Sequence, residues 1–168
     1  MDLSVLLNNQ SNRIVFASNH VSKLDPPVIF SALTIASLVH ISPVKFMTWH
    51  KYYFSYFKPL LFSTGCFPTH NAPHSGVDGA IHYAKKSYRI FIFPEGKRNP
   101  ERENPKVYPG ISLTLKGIPN ARLFLVQIVY AKRKTYFKRP QISVKIAEAD
   151  TKLDRENPKS IMDAIYEL

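Results

Sequence analysis

Two short, largely apolar runs, Ile14-Val15-Phe16-Ala17 and Arg89-Ile90-Phe91-Ile92-Phe93, set the terms on which this chain folds. Each is too short for a core helix, is rich in β-branched and aromatic residues, and stops at once in a polar turn. Each therefore reads as a buried strand. Helical patterns alternate with strands along the rest of the chain. Asp25 lies where a helix N-cap is expected and Pro26 in the first helical position, ahead of an apolar helix from Val28 to Val39 that Pro43 closes. Phe46-Met47-Thr48 and a stretch from Thr64 to Pro68 around Gly65 add two short strands. Asn71 to Gly76 is a loop, and Val77 to Lys86 is a helix with basic residues at its C-terminal end. A polar, proline-rich loop from Asn99 to Pro109 leads to a short helix from Gly110 to Lys116 that ends at Gly117. Strands follow at Leu123–Tyr130 and Ile142–Ala147, and a helix from Ser160 to Leu168 closes the chain. Strands alternating with helices make this an α/β fold: a single domain over residues 1–168 with a mixed, mostly parallel sheet flanked by helices.

Composition narrows the class of partner. The 168 residues are enough for one domain with a real core. The balance of 23 Lys+Arg against 12 Asp+Glu leaves +11 at pH 7, a field that favours nucleic acid, phosphorylated metabolites or an acidic membrane surface. The lone Cys66 has no internal partner for a disulfide, which fits a reducing cytosolic setting. The start, Met1 to Leu7, lacks the basic lead and long apolar stretch of a secretory signal. No run reaches the roughly 18–20 apolar residues of a spanning helix, so membrane contact is expected to be peripheral. Between Trp49 and Phe62, seven aromatics in fourteen residues are interleaved with Lys51 and Lys58, a mixture suited to the water–lipid interface as well as to a core. Lys132, Arg133, Lys134, Lys138 and Arg139 form a second basic patch, which suits lipid headgroups, an acidic carrier protein or a solvated hairpin.

The chemistry is concentrated in the turns after the two opening strands. Asn19-His20-Val21-Ser22-Lys23-Leu24-Asp25 offers a histidine with a carboxylate five positions on. If the preceding strand ends near Ser18, His20 lies at the carboxyl edge of the sheet, where open α/β folds bind their ligands. Asp25 can then bond one imidazole nitrogen, fix the tautomer and leave the other nitrogen to take a proton. Phe93-Pro94-Glu95-Gly96-Lys97-Arg98-Asn99 offers a carboxylate, a glycine for close backbone approach and two cations suited to a phosphate. Read alone, His20 is a polar loop residue and Asp25 a helix cap. Read together, the two runs are the equipment for activating a hydroxyl on an anionic acceptor.

These residues resemble the glycerolipid acyltransferases, the superfamily of 1-acylglycerol-3-phosphate (lysophosphatidic acid) acyltransferase. Asn19, His20 and Asp25 match the signature Asn-His-x-x-x-x-Asp, in which Ser22 is also common. Phe93, Pro94, Glu95, Gly96 and Arg98 match Phe-Pro-Glu-Gly-Thr-Arg-Ser. The resemblance covers about residues 14 to 130 and implies a glycerol-3-phosphate acyltransferase-like fold. It also implies acyl transfer without a covalent enzyme intermediate, from acyl-CoA or acyl carrier protein to a lysophospholipid or glycerol-phosphate-type hydroxyl. By the same analogy His20 is the general base, Asp25 orients it, and Glu95, Gly96, Lys97 and Arg98 hold the acceptor. Asn19, Ser22, Gly65 and His70 are supporting or substrate-facing candidates. No cofactor beyond the acyl donor is implied, and the expected partners are a lipid acceptor, a membrane surface and an acyl carrier protein. The expected location is the cytoplasmic, inner face of a membrane.

The sequence departs from the pattern in three places. A second signature pairs a glycine with an arginine six positions later, and here Gly65 is followed by Asn71, with His70 beside it. In the third signature Lys97 replaces threonine and Asn99 replaces serine. In a fourth, an apolar strand with a central proline, Gln127 stands in the proline's place. These changes bear on the acceptor more than on the reaction. They leave open a catalytically silent, lipid-binding relative. Nucleic-acid binding accounts for the charge but for neither signature. His70, His74 and His82 are only a weak basis for a metal site, because Asn71-Ala72-Pro73 would break the helix that commonly aligns a pair four apart.

Overall fold

The computed structural model describes residues 13–34, 43–48, 65–71, 74–101, 105–131 and 141–168, together with Pro59 and Ser63. Residues 35–42, nearly all of the aromatic stretch from Trp49 to Phe62, and the basic patch from Lys132 to Arg139 lie outside the described residues.

The strands are β1 (Ile14–Ser18), β2 (Val44–Thr48), β3 (Cys66–Pro68), β4 (His70–Asn71), β5 (His74–Ser75), β6 (Arg89–Ile92), β7 (Arg122–Tyr130) and β8 (Ile142–Glu148). The helices are α1 (Asp25–Ser31), α2 (Gly76–Lys85), α3 (Gly110–Gly117) and α4 (Pro158–Glu167). Six strands form one sheet in the order β3-β2-β6-β1-β7-β8. Its pairings are parallel except β7 with β8, which is antiparallel. The alternation read from the sequence is thus an α/β fold with a mostly parallel sheet. Three local expectations change. The helix expected to run on to Val39 ends at Ser31, with Ala32 as its C-cap and a non-helical stretch at 32–34. The segment expected to be a loop at Asn71–Gly76 carries the small β4–β5 ladder and the start of α2. The cap of α1 is Leu24, which places Asp25 inside the first turn, where its carboxylate is turned to another use.

Alternation along β1 sorts the core into two layers. Val15 and Ala17 face α2, α3 and α4 together with Ile90, Ile92, Leu123 and Leu125. Ile14 and Phe16 face α1 together with Phe91, Phe124 and Phe46. On the α1 face, the register aligns Phe46 with Phe91, Phe91 with Phe16, and Phe16 with Phe124, a row of rings across four adjacent strands. Phe16 and Phe91 stack at 4.3 Å, and Phe46 and Phe91 at 4.9 Å. Burying each such ring stabilises the fold by about 2–3 kcal/mol, and the row fixes the register of β1 against β6.

That register positions the site. From β1 the chain passes over β6 toward β2 through α1 on one face of the sheet, and from β6 it passes β1 toward β7 through α3 on the other face. Neighbouring parallel strands whose exits turn to opposite faces open a crevice at their carboxyl ends, the place where such sheets bind ligands. The two chemistry-bearing turns are the exits of these two strands.

Candidate active site

Asn19 prepares the turn. The backbone of β1 stops pairing with β7 after Ser18, and Asn19 N–H reaches Val126 O at a long 3.4 Å. The Asn19 side chain then takes over the ladder, donating from Nδ2 to Ile128 O at 2.9 Å and accepting the Ile128 N–H at 2.7 Å through Oδ1. A buried carboxamide thus satisfies the edge of β7, and the backbone is released to wrap toward α1.

The wrap closes around Asp25, which is fully buried. Its Oδ2 accepts from the Val21 N–H at 2.7 Å and the Ser22 N–H at 2.9 Å, and lies 2.8 Å from His20 Nδ1. Its Oδ1 accepts the Tyr130 hydroxyl at 2.9 Å. Nδ1 therefore carries the hydrogen toward the carboxylate, and Nε2 is the nitrogen available for proton transfer. The imidazole stacks on Phe93 with ring centres 4.4 Å apart, which holds its plane from a second direction. Its side chain is 22% exposed, enough to meet a substrate.

The second turn meets the first at the peptide groups of His20. Glu95, 3% exposed, accepts the His20 N–H through Oε2 at 2.6 Å, and the Asn99 N–H donates to His20 O at 2.6 Å. Both backbone bonds of His20 thus go to residues 75 and more positions away. Gly96 turns the chain with φ +61°, a left-handed conformation, and a Cβ there would stand 2.9 Å from the Tyr108 ring. The Tyr108 N–H closes the turn onto Pro94 O at 2.8 Å. Lys97 and Arg98 follow, both exposed at this end of the sheet.

The candidates from the sequence fall into two groups. His20, Asp25, Asn19, Glu95 and Gly96 are brought together, and Ser22 joins them through its backbone N–H. Lys97 and Arg98 continue from the same turn. Gly65 and His70 are elsewhere. Gly65 precedes β3 at the amino end of the sheet, with φ +80° and no room for a Cβ against Val44 O. His70 is exposed beyond the carboxyl end of β3, with β2 and β6 between that strand and β1.

Tyr130 and Tyr166 complete the site and were not among the sequence candidates. Burial, and next the Asp25 carboxylate, push the Tyr130 phenol up to about 12. The hydroxyl therefore stays protonated and able to donate. From α4, on the other face of the sheet, the Tyr166 hydroxyl donates to Glu95 Oε1 at 2.7 Å. Gln127, in the strand position where a proline was expected, donates from Nε2 to the carbonyls of Ile165 at 3.1 Å and Tyr166 at 2.8 Å. A proline could make neither bond.

A family model described as Acyltransferase matches residues 6–116. This chain belongs to the acyltransferase family. The family comprises glycerolipid acyltransferases, including the 1-acylglycerol-3-phosphate acyltransferases. The match spans both turns and ends inside α3, so β7, β8 and α4 of this acyltransferase lie beyond it. No curated protein matches the chain.

Proposed function

We propose that this acyltransferase moves a fatty acyl group from an acyl thioester to the hydroxyl of a lysophospholipid or glycerol-phosphate-type acceptor, with His20 as general base. The observation that carries this reading is the 2.8 Å contact between His20 Nδ1 and the buried Asp25 carboxylate at the carboxyl edge of the sheet. Nε2 removes the proton from the acceptor hydroxyl as its oxygen attacks the thioester carbonyl carbon. The resulting imidazolium is stabilised by Asp25. Collapse of the tetrahedral adduct breaks the carbon–sulfur bond, and the imidazolium returns its proton to the departing thiolate. The products are an ester and a free thiol, and the enzyme returns to its starting state.

Lys97 and Arg98 hold the negative charge of the acceptor beside Gly96. With Asn71 where an arginine was expected, and Lys97 lacking the planar fork of an arginine, the site suits an anionic acceptor without singling out lysophosphatidic acid. The donor is acyl-CoA or acyl carrier protein. Access to a lipid acceptor is peripheral, supported by the net charge of +11. No helix among the described residues is long and apolar enough to cross a membrane.

The test is an assay of labelled acyl-CoA and acyl carrier protein thioesters against a panel of lysolipids, read by mass spectrometry. Acyl-lipid product from the wild-type chain and none from folded His20→Ala is expected. Full activity in His20→Ala would remove the base. Lipid binding without turnover on the whole panel would favour the silent, lipid-binding alternative.

A further inference from the structure

We propose that Tyr166 is a positioning residue of the acyl-transfer site, acting through Glu95 on the backbone of His20. The inference rests on the reading of His20 as the base.

The two carboxylates around His20 are held alike. Each gives one oxygen to the His20 turn and the other to a tyrosine hydroxyl from beyond residue 116, where the family match ends. Tyr130 comes from the α1 face of the sheet and Tyr166 from the α4 face, so the turn is clamped from both sides. Asp25 is additionally fixed by two backbone N–H groups on Oδ2. Glu95 is the simpler case, with Oε2 on the His20 N–H at 2.6 Å and Oε1 on the Tyr166 hydroxyl at 2.7 Å.

The last torsion of a glutamate is broad, so one hydrogen bond alone sets its carboxylate plane loosely. Bonds at both oxygens leave a single orientation. Without the phenol, Oε1 is a buried acceptor that has lost its donor, and the carboxylate turns in search of another. The His20 N–H then loses its aligned acceptor, and the ring it carries shifts relative to Asp25 and the acceptor. A displacement of this kind acts on the rate of the chemical step more than on binding.

The placement of Tyr166 is itself built. Gln127 anchors the last turn of α4 at the Ile165 and Tyr166 carbonyls, and Lys145 Nζ donates to Leu168 O at 2.6 Å. Ile161, Met162 and Ile165 are fully buried under the sheet. The C-terminal helix is thus docked in a way that delivers one hydroxyl to the site.

The experiment compares Tyr166→Phe, Glu95→Gln and the double variant in the full chain. Amide hydrogen exchange at His20 is read against Ile128, whose N–H is held by Asn19 in the same neighbourhood. Tyr166→Phe is expected to speed exchange at His20 about tenfold while Ile128 is unchanged. Equal exchange at His20 in wild type and variant overturns the proposal, as does an equal rise at both amides, which signals general loosening. With palmitoyl-CoA and 1-palmitoyl-glycerol 3-phosphate as probes, kcat is expected to fall about tenfold with both KM values unchanged. In the Glu95→Gln background, the Tyr166→Phe change has no further effect on kcat. An additive effect overturns action through Glu95. Wild-type exchange and kcat in Tyr166→Phe beside an inactive His20→Ala ends this proposal and leaves the base intact. An active His20→Ala ends the base, and the exchange ratio still decides the role of Tyr166.

Discussion

Two charge pairs sit at opposite ends of the same sheet and are built on different principles. At the carboxyl edge, Asp25 is fully buried and receives an imidazole, two backbone N–H groups and a phenol. At the amino edge, Arg122 grips Glu148 through Nε and Nη2, both at 2.7 Å, and the carboxylate side chain is 38% exposed. The second pair neutralises itself with help from water. The first keeps its negative charge directed at one imidazole, with neutral donors sharing the rest of the load. Similar distances therefore suit different ends: the exposed pair adds a little stability to the β7–β8 ladder, and the buried one is assigned, under the proposed function, to the chemistry.

The sharpest attempt to break this contrast is Asp25→Asn. It keeps the size of the side chain but removes the charge that the proposed mechanism uses to stabilise the imidazolium. A loss of about 10²–10⁴-fold in kcat is expected, with the far-ultraviolet circular dichroism spectrum retained. A loss below tenfold would mean that Asp25 is only a structural anchor.

Next in size is Asn19→Ala, which tests whether the buried edge depends on neutral polar groups. It removes the donor and the acceptor that the carboxamide supplies to the Ile128 carbonyl and N–H, and denaturant titration should show about 3 kcal/mol of destabilisation. A change under about 0.5 kcal/mol would show that water replaces the carboxamide.

Tyr130→Phe removes one donor from Asp25 and keeps the ring. Steady-state kinetics should show kcat about tenfold lower with little change in KM. Unchanged kcat would make the phenol a packing group. Because the folded phenol lies near 12, above its ordinary value near 10, its contribution to stability is complete below pH 10. It is lost as the pH rises through 12.

The smallest effect belongs to the other end of the sheet. The Arg122 guanidinium, hydrogen-bonded to Glu148, holds that carboxyl below its ordinary value. The stabilisation is present above the unfolded value near 4.3 and is lost as the pH falls through the lower folded one. Glu148→Gln should cost about 0.5 kcal/mol at neutral pH and nothing in acid, with acyl transfer unchanged. Thermal melts from pH 7 downward check both points, the difference from wild type shrinking as the pH falls through the folded value. A drop in activity would link the two ends and erase the contrast.

Much of the fold was legible before the structure. β1, β6, β7, β8 and the helices α2, α3 and α4 lie within one or two residues of their expected positions, because hydrophobic period and Pro/Gly punctuation are local signals. The boundary at Asp25 misled for a local reason. An aspartate before two prolines looks like an N-cap, and only the folded His20 turn gives its carboxylate better partners. Tyr130 and Tyr166 carried no signal. A tyrosine ending a strand or placed in an amphipathic helix is ordinary until something is packed against its hydroxyl.

By itself, then, the sequence determined which residue types stand in the turns after β1 and β6, and that those turns follow buried strands. The family's reaction class follows from that pattern. The tertiary structure decided that β1 and β6 are neighbours and that both turns close on the peptide groups of His20. It also decided that the carboxylates are completed by hydroxyls 105 and 71 positions away. Periodicity acts over a few residues, whereas strand order and register are settled by burying both faces of the whole sheet at once. Contacts across such separations exist only after that burial has been achieved.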